Sequence, residues 1–198
     1  MNAPRLIRYR ELEPVPWKNG LGLTREIALV ASATNATGFR FRLSRAVIDA
    51  QAPFSKYPGV RRWLVLARGG AIELRFDGQP VRQLERVGDL CEFSGDDVVE
   101  GVPLDGASED FNLMLADPML EAEVLVRPLV GSMILHQPAA SWLILHLLDG
   151  HAHVQGERAT LAAGDTLWSD PGEQDRIAAR IDGGGLALIL RIAPRSAT

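Results

Sequence analysis

The chain has 198 residues, a formal net charge of −4 and a 46% hydrophobic composition, enough for one large β domain or two small ones, each with a real core. A pI near 5.6 argues against a nucleic-acid or anionic-membrane partner, because both select concentrated positive charge. No apolar run nears the ~20 residues of a membrane span and the N-terminus lacks the apolar core of a secretion signal, so a cytoplasmic protein is expected.

Residues 1–16 read as an irregular lead-in with prolines at 4, 14 and 16. The next stretch, Trp17-Lys18-Asn19-Gly20-Leu21-Gly22-Leu23-Thr24-Arg25-Glu26-Ile27-Ala28, concentrates an aromatic, an amide, glycines, a hydroxyl and an Arg/Glu pair ahead of a strand over 24–31. Asn-Gly supplies the positive φ of a tight turn, and polar groups held beside a turn on a sheet suit either a ligand site or an ordinary hairpin with a packed Trp. After Gly38, residues 39–45 alternate Phe39, Phe41 and Leu43 with Arg40, Arg42 and Ser44, giving one packed and one polar face. Paired arginines commonly meet solvent, which leaves Ser44 as the stronger site candidate.

From residue 51 the chain turns to short strand patterns at 63–67, 71–76, 81–85 and 90–93, with a hairpin signal in Phe76-Asp77-Gly78-Gln79. No stretch carries a helical stripe, so the class is all-β. Cys91, the single cysteine, cannot form an internal disulfide and lies in a strand pattern, where a buried structural thiol is expected ahead of a nucleophile.

An internal repeat sets the architecture. Trp63-Leu64-Val65-Leu66 returns as Trp142-Leu143-Ile144-Leu145, Gly69 as Gly150, and Val87-Gly88-Asp89 as Ala163-Gly164-Asp165. Two copies of strand, glycine turn, hairpin and Gly-Asp turn resemble a bicupin: two tandem cupin-like β-barrels or jelly rolls, 1–118 with its lead-in and 119–198, joined near Asp117-Pro118. Metal-binding cupins coordinate through histidines and a glutamate, ligands that suit Fe, Mn, Ni or Zn. In the first repeat those positions fall on Ser55, Tyr57, Arg62 and Val99, so neither metal nor other cofactor is expected there. In the second repeat only His136 falls at a ligand position, beside Pro138, Leu143 and Asp175; a rival register through His151, His153, Glu157 and Gly164 leaves a metal pair or a surface pair open.

Arg62 in place of a metal-binding glutamate makes the first cavity suit an anion, because guanidinium pairs a carboxylate through two parallel hydrogen bonds. Asn19, Thr24, Arg25, Ser55 and Asn112 offer further donors, and Trp17, Phe54 and Tyr57 offer apolar walls. A structural ion pair of Arg25 or Arg62 with Asp110 is the competing account.

The Trp17 to Ala28 stretch and Asp110-Phe111-Asn112-Leu113-Met114 together resemble the hallmark of the HutD/Ves family of bicupin proteins associated with bacterial histidine utilisation. The resemblance is specific over most of the first 120 residues and weaker beyond. It implies a protein without established enzymatic activity that binds a small carboxylate such as formylglutamate or urocanate and moderates that pathway. It marks Trp17, Asn19, Gly20, Gly22, Thr24, Arg25, Ser44, Phe54, Ser55, Asp110, Phe111 and Asn112 as pocket or pocket-supporting residues. Leu21 interrupts the glycines that usually follow Asn-Gly in the family, and the segment after Met114 lacks the expected arginines. Two function classes stand: a carboxylate-binding sensor, or a cupin isomerase or hydrolase acting on a small anionic metabolite. A homodimer is left open.

Overall fold

Alternating apolar and polar side chains, broken by Gly, Pro and Asp at the reversals, build this protein almost entirely from antiparallel strands. The computed structural model describes residues 3–17, 22–156 and 160–195, and these contain sixteen strands, one 3-10 turn (Tyr9–Glu11) and no α-helix. None of the described residues forms a helix long and apolar enough to cross a membrane. The chain divides into two compact units: Leu12–Pro118, and Met1–Glu11 together with Met119–Thr198.

After β1 (Arg5–Ile7), the unit Leu12–Pro118 holds β2 (Pro14–Pro16), β3 (Leu23–Ala31), β4 (Phe39–Ile48), β5 (Ala52–Pro53), β6 (Arg61–Gly69), β7 (Ile72–Phe76), β8 (Arg82–Leu84), β9 (Leu90–Ser94), β10 (Val99–Pro103) and β11 (Ser108–Leu115). They form two sheets, ordered β2-β3-β4-β11-β6-β9 and β5-β10-β7-β8. One core joins them: Ile48, Leu64, Leu66, Cys91 and Phe93 from the first sheet meet Ile72, Leu74, Phe76, Leu84 and Val99 from the second. Ten buried side chains of this kind, each worth roughly 1.5–3 kcal/mol, hold the unit together. The ladders stop at β2 and β9 in one sheet and at β5 and β8 in the other. Among the described residues the unit is therefore two facing open sheets, where the sequence suggested a barrel. Cys91 is the buried thiol expected; desolvation pushes its pKa up against the pull of Arg82.

The second unit is one sheet, β1-β15-β13-β16-β12 with β14 on β13, built from β12 (Leu120–Gln137), β13 (Trp142–Val154), β14 (Thr160–Ala162), β15 (Thr166–Ser169) and β16 (Arg176–Pro194). Strands of 18, 13 and 19 residues replace the short ones that the sequence texture suggested. The reason is that glycines which read as turn signals sit inside strands. Gly131 pairs with Gly183 and Gly150 with Gly185, so β12, β13 and β16 bend at one level without ending. The sheet curls around Leu129, Leu143, Leu145, Leu147, Val154, Leu161 and Ile181.

The lead-in is not irregular, and its first part does not join the unit that follows it. Arg5, Leu6 and Ile7 pair with Trp168, Leu167 and Thr166, while the Asp165 carboxylate accepts from Arg8 Nη1 at 2.6 Å and from the Tyr9 N–H at 3.0 Å. Residues of the 1–11 segment thus complete the sheet of 119–198, rather than the 1–118 grouping expected from sequence.

The Gly-Asp turns of the repeat carry matching hydrogen bonds. Gly88 (φ 98°) donates to Leu66 O at 2.8 Å while Leu66 N donates to Asp89 O at 2.9 Å; Gly164 (φ 92°) donates to Leu147 O at 2.7 Å while Leu147 N donates to Asp165 O at 3.0 Å. Only glycine holds such a φ without strain, so the sequence echo reflects a shared backbone requirement.

Candidate functional site

Strand alternation puts every second residue of β3, β4, β11 and β6 on one face, and in Leu12–Pro118 that face floors a cavity of about 1000 Å³. Cross-strand register arranges the floor in rows. Thr24, Ala46 and Asp110 form the first; Glu26, Ser44 and Asn112 the second; Arg42, Met114 and Arg62 the third. The walls are Val15, Pro16 and Trp17 on one side and the segment Pro53, Phe54, Ser55, Lys56 and Tyr57 on the other. That segment is held because Phe54 N donates to Val99 O (2.9 Å) and Tyr57 N to Gly95 O (2.8 Å).

Gly22 does not line the cavity but shapes it. A Cβ there would lie 2.7 Å from Val47 O and 3.0 Å from the Trp17 ring, so only glycine lets Trp17 close over this strand end. Trp17 Nε1 then donates to Thr24 Oγ1 at 2.7 Å, fixing the ring's polar edge.

Arg62 is 5% exposed. Its guanidinium lies 5.3 Å from the Phe54 ring centroid and 4.9 Å from that of Phe93, and Nη1 donates to Ser55 O at 3.2 Å. Its Nε has no partner among the described residues. Burial pulls its pKa down to about 10, against the attraction of Asp110, which leaves it charged at neutral pH. Asp110 is 1% exposed, and both carboxyl oxygens lack partners, as does Asn112 Oδ1. Burial pushes the Asp110 carboxyl up to about 7, opposed by Arg62 and Arg45. Each buried unpartnered polar group costs about 1–3 kcal/mol, so three of them converging on one cavity mark a surface held ready for a polar ligand. The cavity's other arginine, Arg42, is occupied: its Nε donates to Glu26 Oε2 at 2.8 Å.

Nine residues singled out from the sequence line this one cavity: Trp17, Thr24, Ser44, Phe54, Ser55, Tyr57, Arg62, Asp110 and Asn112. Arg25 and Phe111 do not. Arg25 pairs across the strands with Arg45, and Arg45 with Phe111, on the opposite face of the sheet, where Phe111 is fully buried. The proposed ion pair of Arg25 or Arg62 with Asp110 is absent among the described residues. Asn19 and Gly20 lie outside the described residues. Sequence reasoning passed over Glu26 and Arg42, and it sent Arg42 to solvent; the signal that places it is its two-residue spacing from Ser44.

At the positions where metal-binding cupins carry ligands stand Ser55, Tyr57, Arg62 and Val99, a set without imidazole or carboxylate. In the second unit His151 and His153 are exposed on either side of buried Ala152, and His136 is exposed on β12. Glu157 lies outside the described residues. Among the described residues no three His, Cys, Asp or Glu side chains cluster as a metal site would require. His146, unremarked in the sequence, is fully buried with Nδ1 2.8 Å from Thr166 Oγ1.

The model of the HutD family matches residues 9–189. An uncharacterised 21.2 kDa protein from the hutC 3′ region of Pseudomonas putida is 37% identical over 124 residues, 63% of this chain and 64% of that protein. Protein Ves of Citrobacter koseri is 34% identical over 124 residues, 61% and 63% of the two chains. The chain therefore spans somewhat under two thirds of the length of these curated relatives. Among solved structures, HutD from Pseudomonas fluorescens SBW25, in a formate condition, superposes with a TM-score of 0.80 at 27% identity, over 98% of this chain and 100% of that one. A conserved protein of unknown function from Pseudomonas aeruginosa gives 0.77 at 32% identity over the same shares. An oxalate decarboxylase of Lactobacillus farciminis in a formate complex, at 0.64 and 11% identity over 97% and 87%, shares the cupin-like fold alone.

Proposed function

The chain belongs to the HutD family, and from that premise we propose that the cavity of Leu12–Pro118 binds a small carboxylate and that the protein acts without catalysis, as a cytoplasmic sensor that moderates histidine utilisation. One observation carries this: Arg62, buried, charged and with an unpartnered Nε, lines a cavity roofed by apolar and aromatic side chains. A guanidinium in that position is stabilised by an anion that accepts its remaining hydrogen bonds. Formylglutamate and urocanate are the candidate ligands that the family association suggests. The matched hydrogen bonding of Gly88-Asp89 and Gly164-Asp165 supports the further reading of the two units as tandem cupin-like barrels.

Calorimetry with formylglutamate, urocanate, glutamate and formate tests the site. Arg62→Ala should weaken binding by about 2 kcal/mol or more, the worth of a buried charge-assisted pair, and Arg25→Ala should leave it unchanged. Circular dichroism confirms folding of both variants. Failure of every carboxylate to bind the wild type, or equal affinity in folded Arg62→Ala, would sink the reading.

A further inference from the structure

We propose that the ligand is not a simple carboxylate but one carrying an N–H donor, an ammonium or a secondary amide, and that Asp110 and Asn112 select it. This rests on the reading of the cavity as a carboxylate site and narrows the class of molecule that enters it.

The floor is polar in one direction. Arg62 stands in the row of Met114, while Asn112 and Asp110 occupy the next two rows along β11. Residues two apart on a strand are separated by about 6.6 Å, so the cationic end and the acceptor end of the floor lie one to two rows apart. The unpartnered atoms are of two kinds. At one end is a donor, Arg62 Nε; at the other are acceptors, Asn112 Oδ1 and the two Asp110 oxygens. A carboxylate offers acceptors only. Seated on Arg62, it satisfies that end and leaves Asn112 Oδ1 unpaired, with a second anion brought towards Asp110. A molecule that extends an N–H from its carboxylate across one row satisfies both ends at once. An ammonium has three donors for the three acceptor atoms, whereas a secondary amide has one, directed at Asn112 or Asp110; both are the same chemistry, an N–H near a carboxylate. Ser44, beside Asn112 in the same row, adds a hydroxyl that can donate or accept and so does not discriminate.

Sites built to bond an N–H reject analogues lacking it far more strongly than apolar pockets reject a missing methylene, because the site's own buried groups are left unpaired. The test uses two pairs of probes that differ at that group alone: glutamate against glutarate, and N-acetylglutamate against 2-acetoxyglutarate, in which an ester oxygen replaces the amide N–H. Affinities are measured by calorimetry on the wild type, Arg62→Ala, Asn112→Ala and Asp110→Asn, the last keeping side-chain shape so that folding is preserved. The inference expects the N–H member of at least one pair to bind about tenfold or more tighter. It also expects that preference to shrink to within about threefold in Asn112→Ala or Asp110→Asn, while Arg62→Ala weakens both members. A preference in the glutamate pair identifies an ammonium, and one in the N-acetylglutamate pair an amide. Equal binding of both members of both pairs, with Arg62→Ala still weakening them, overturns the donor requirement and leaves the carboxylate site standing. Binding indifferent to Arg62→Ala, or no binding at all, removes the carboxylate site and this inference with it.

Discussion

Replacing Asp110 by Asn should stabilise the ligand-free protein at neutral pH, and the gain should depend on pH in a defined way. In the folded chain Asp110 titrates near 7, whereas an unperturbed aspartate titrates at 3.8. The groups acting on it are Arg62 and Arg45, which favour its charge, and Glu109, which opposes it, with burial outweighing all three. Between these two values the folded state holds a proton that the unfolded state has released. Stability therefore falls as pH rises, by up to about 1.4 kcal/mol per pH unit for one full proton. Below about pH 4 both states are protonated and the term vanishes; above about 7 both are ionised and it levels off, at a total of roughly 4 kcal/mol. Asparagine has the shape of the protonated carboxyl but no proton to lose, so the variant escapes this slope. Urea denaturation from pH 4 to 8, read by circular dichroism together with amide exchange in β4, β6 and β11, should show the Asp110→Asn advantage opening across pH 4–7 and flattening beyond. An advantage independent of pH would refute the assignment, as would a variant less stable than wild type at pH 7.

Two other substitutions follow from the packing. Gly22→Ala should destabilise by about 1–3 kcal/mol and shift the Trp17 emission, because the new methyl meets Val47 O and the Trp17 ring; an unchanged denaturation midpoint with unaltered fluorescence would contradict the close approach. Glu109→Ala should cost about 3–5 kcal/mol, since it removes the carboxylate 2.9 Å from Arg45 Nη2, a guanidinium 3% exposed, and Arg45→Met combined with Glu109→Leu should recover most of that loss in the same urea assay.

The strands of Leu12–Pro118 could be read in advance because a sheet with one face on a core writes its period into the chain: Phe39, Phe41 and Leu43 against Arg42 and Ser44 is such a record. The site was legible for the same reason, and its misreadings came from not applying the period strictly. Thr24 and Arg25 are neighbours, as are Asp110 and Phe111, and neighbours on a strand cannot face one cavity. Choosing Ser44 should have brought Arg42 with it. What sequence could not supply is which polar face meets water, because a solvated face and a cavity wall use the same residue types. Nor could it foresee the long strands of the second unit. Glycine inside a strand and glycine at its end look alike until Gly131, Gly183, Gly150 and Gly185 are found opposite one another.

The pairing of β1 with β15 has a bearing on how the chain is made. Arg5 leaves the ribosome among the first residues, yet its partner Trp168 follows about 160 positions later, which at 5–20 residues per second means roughly ten to thirty seconds of synthesis. During that interval Leu12–Pro118 is already complete and free to fold, while the strand ahead of it has nowhere to dock. The second unit closes last and from both ends of the polypeptide, so a fusion or truncation at the amino terminus would be felt in the sheet of residues 119–198, leaving the cavity-bearing unit beside it in sequence intact.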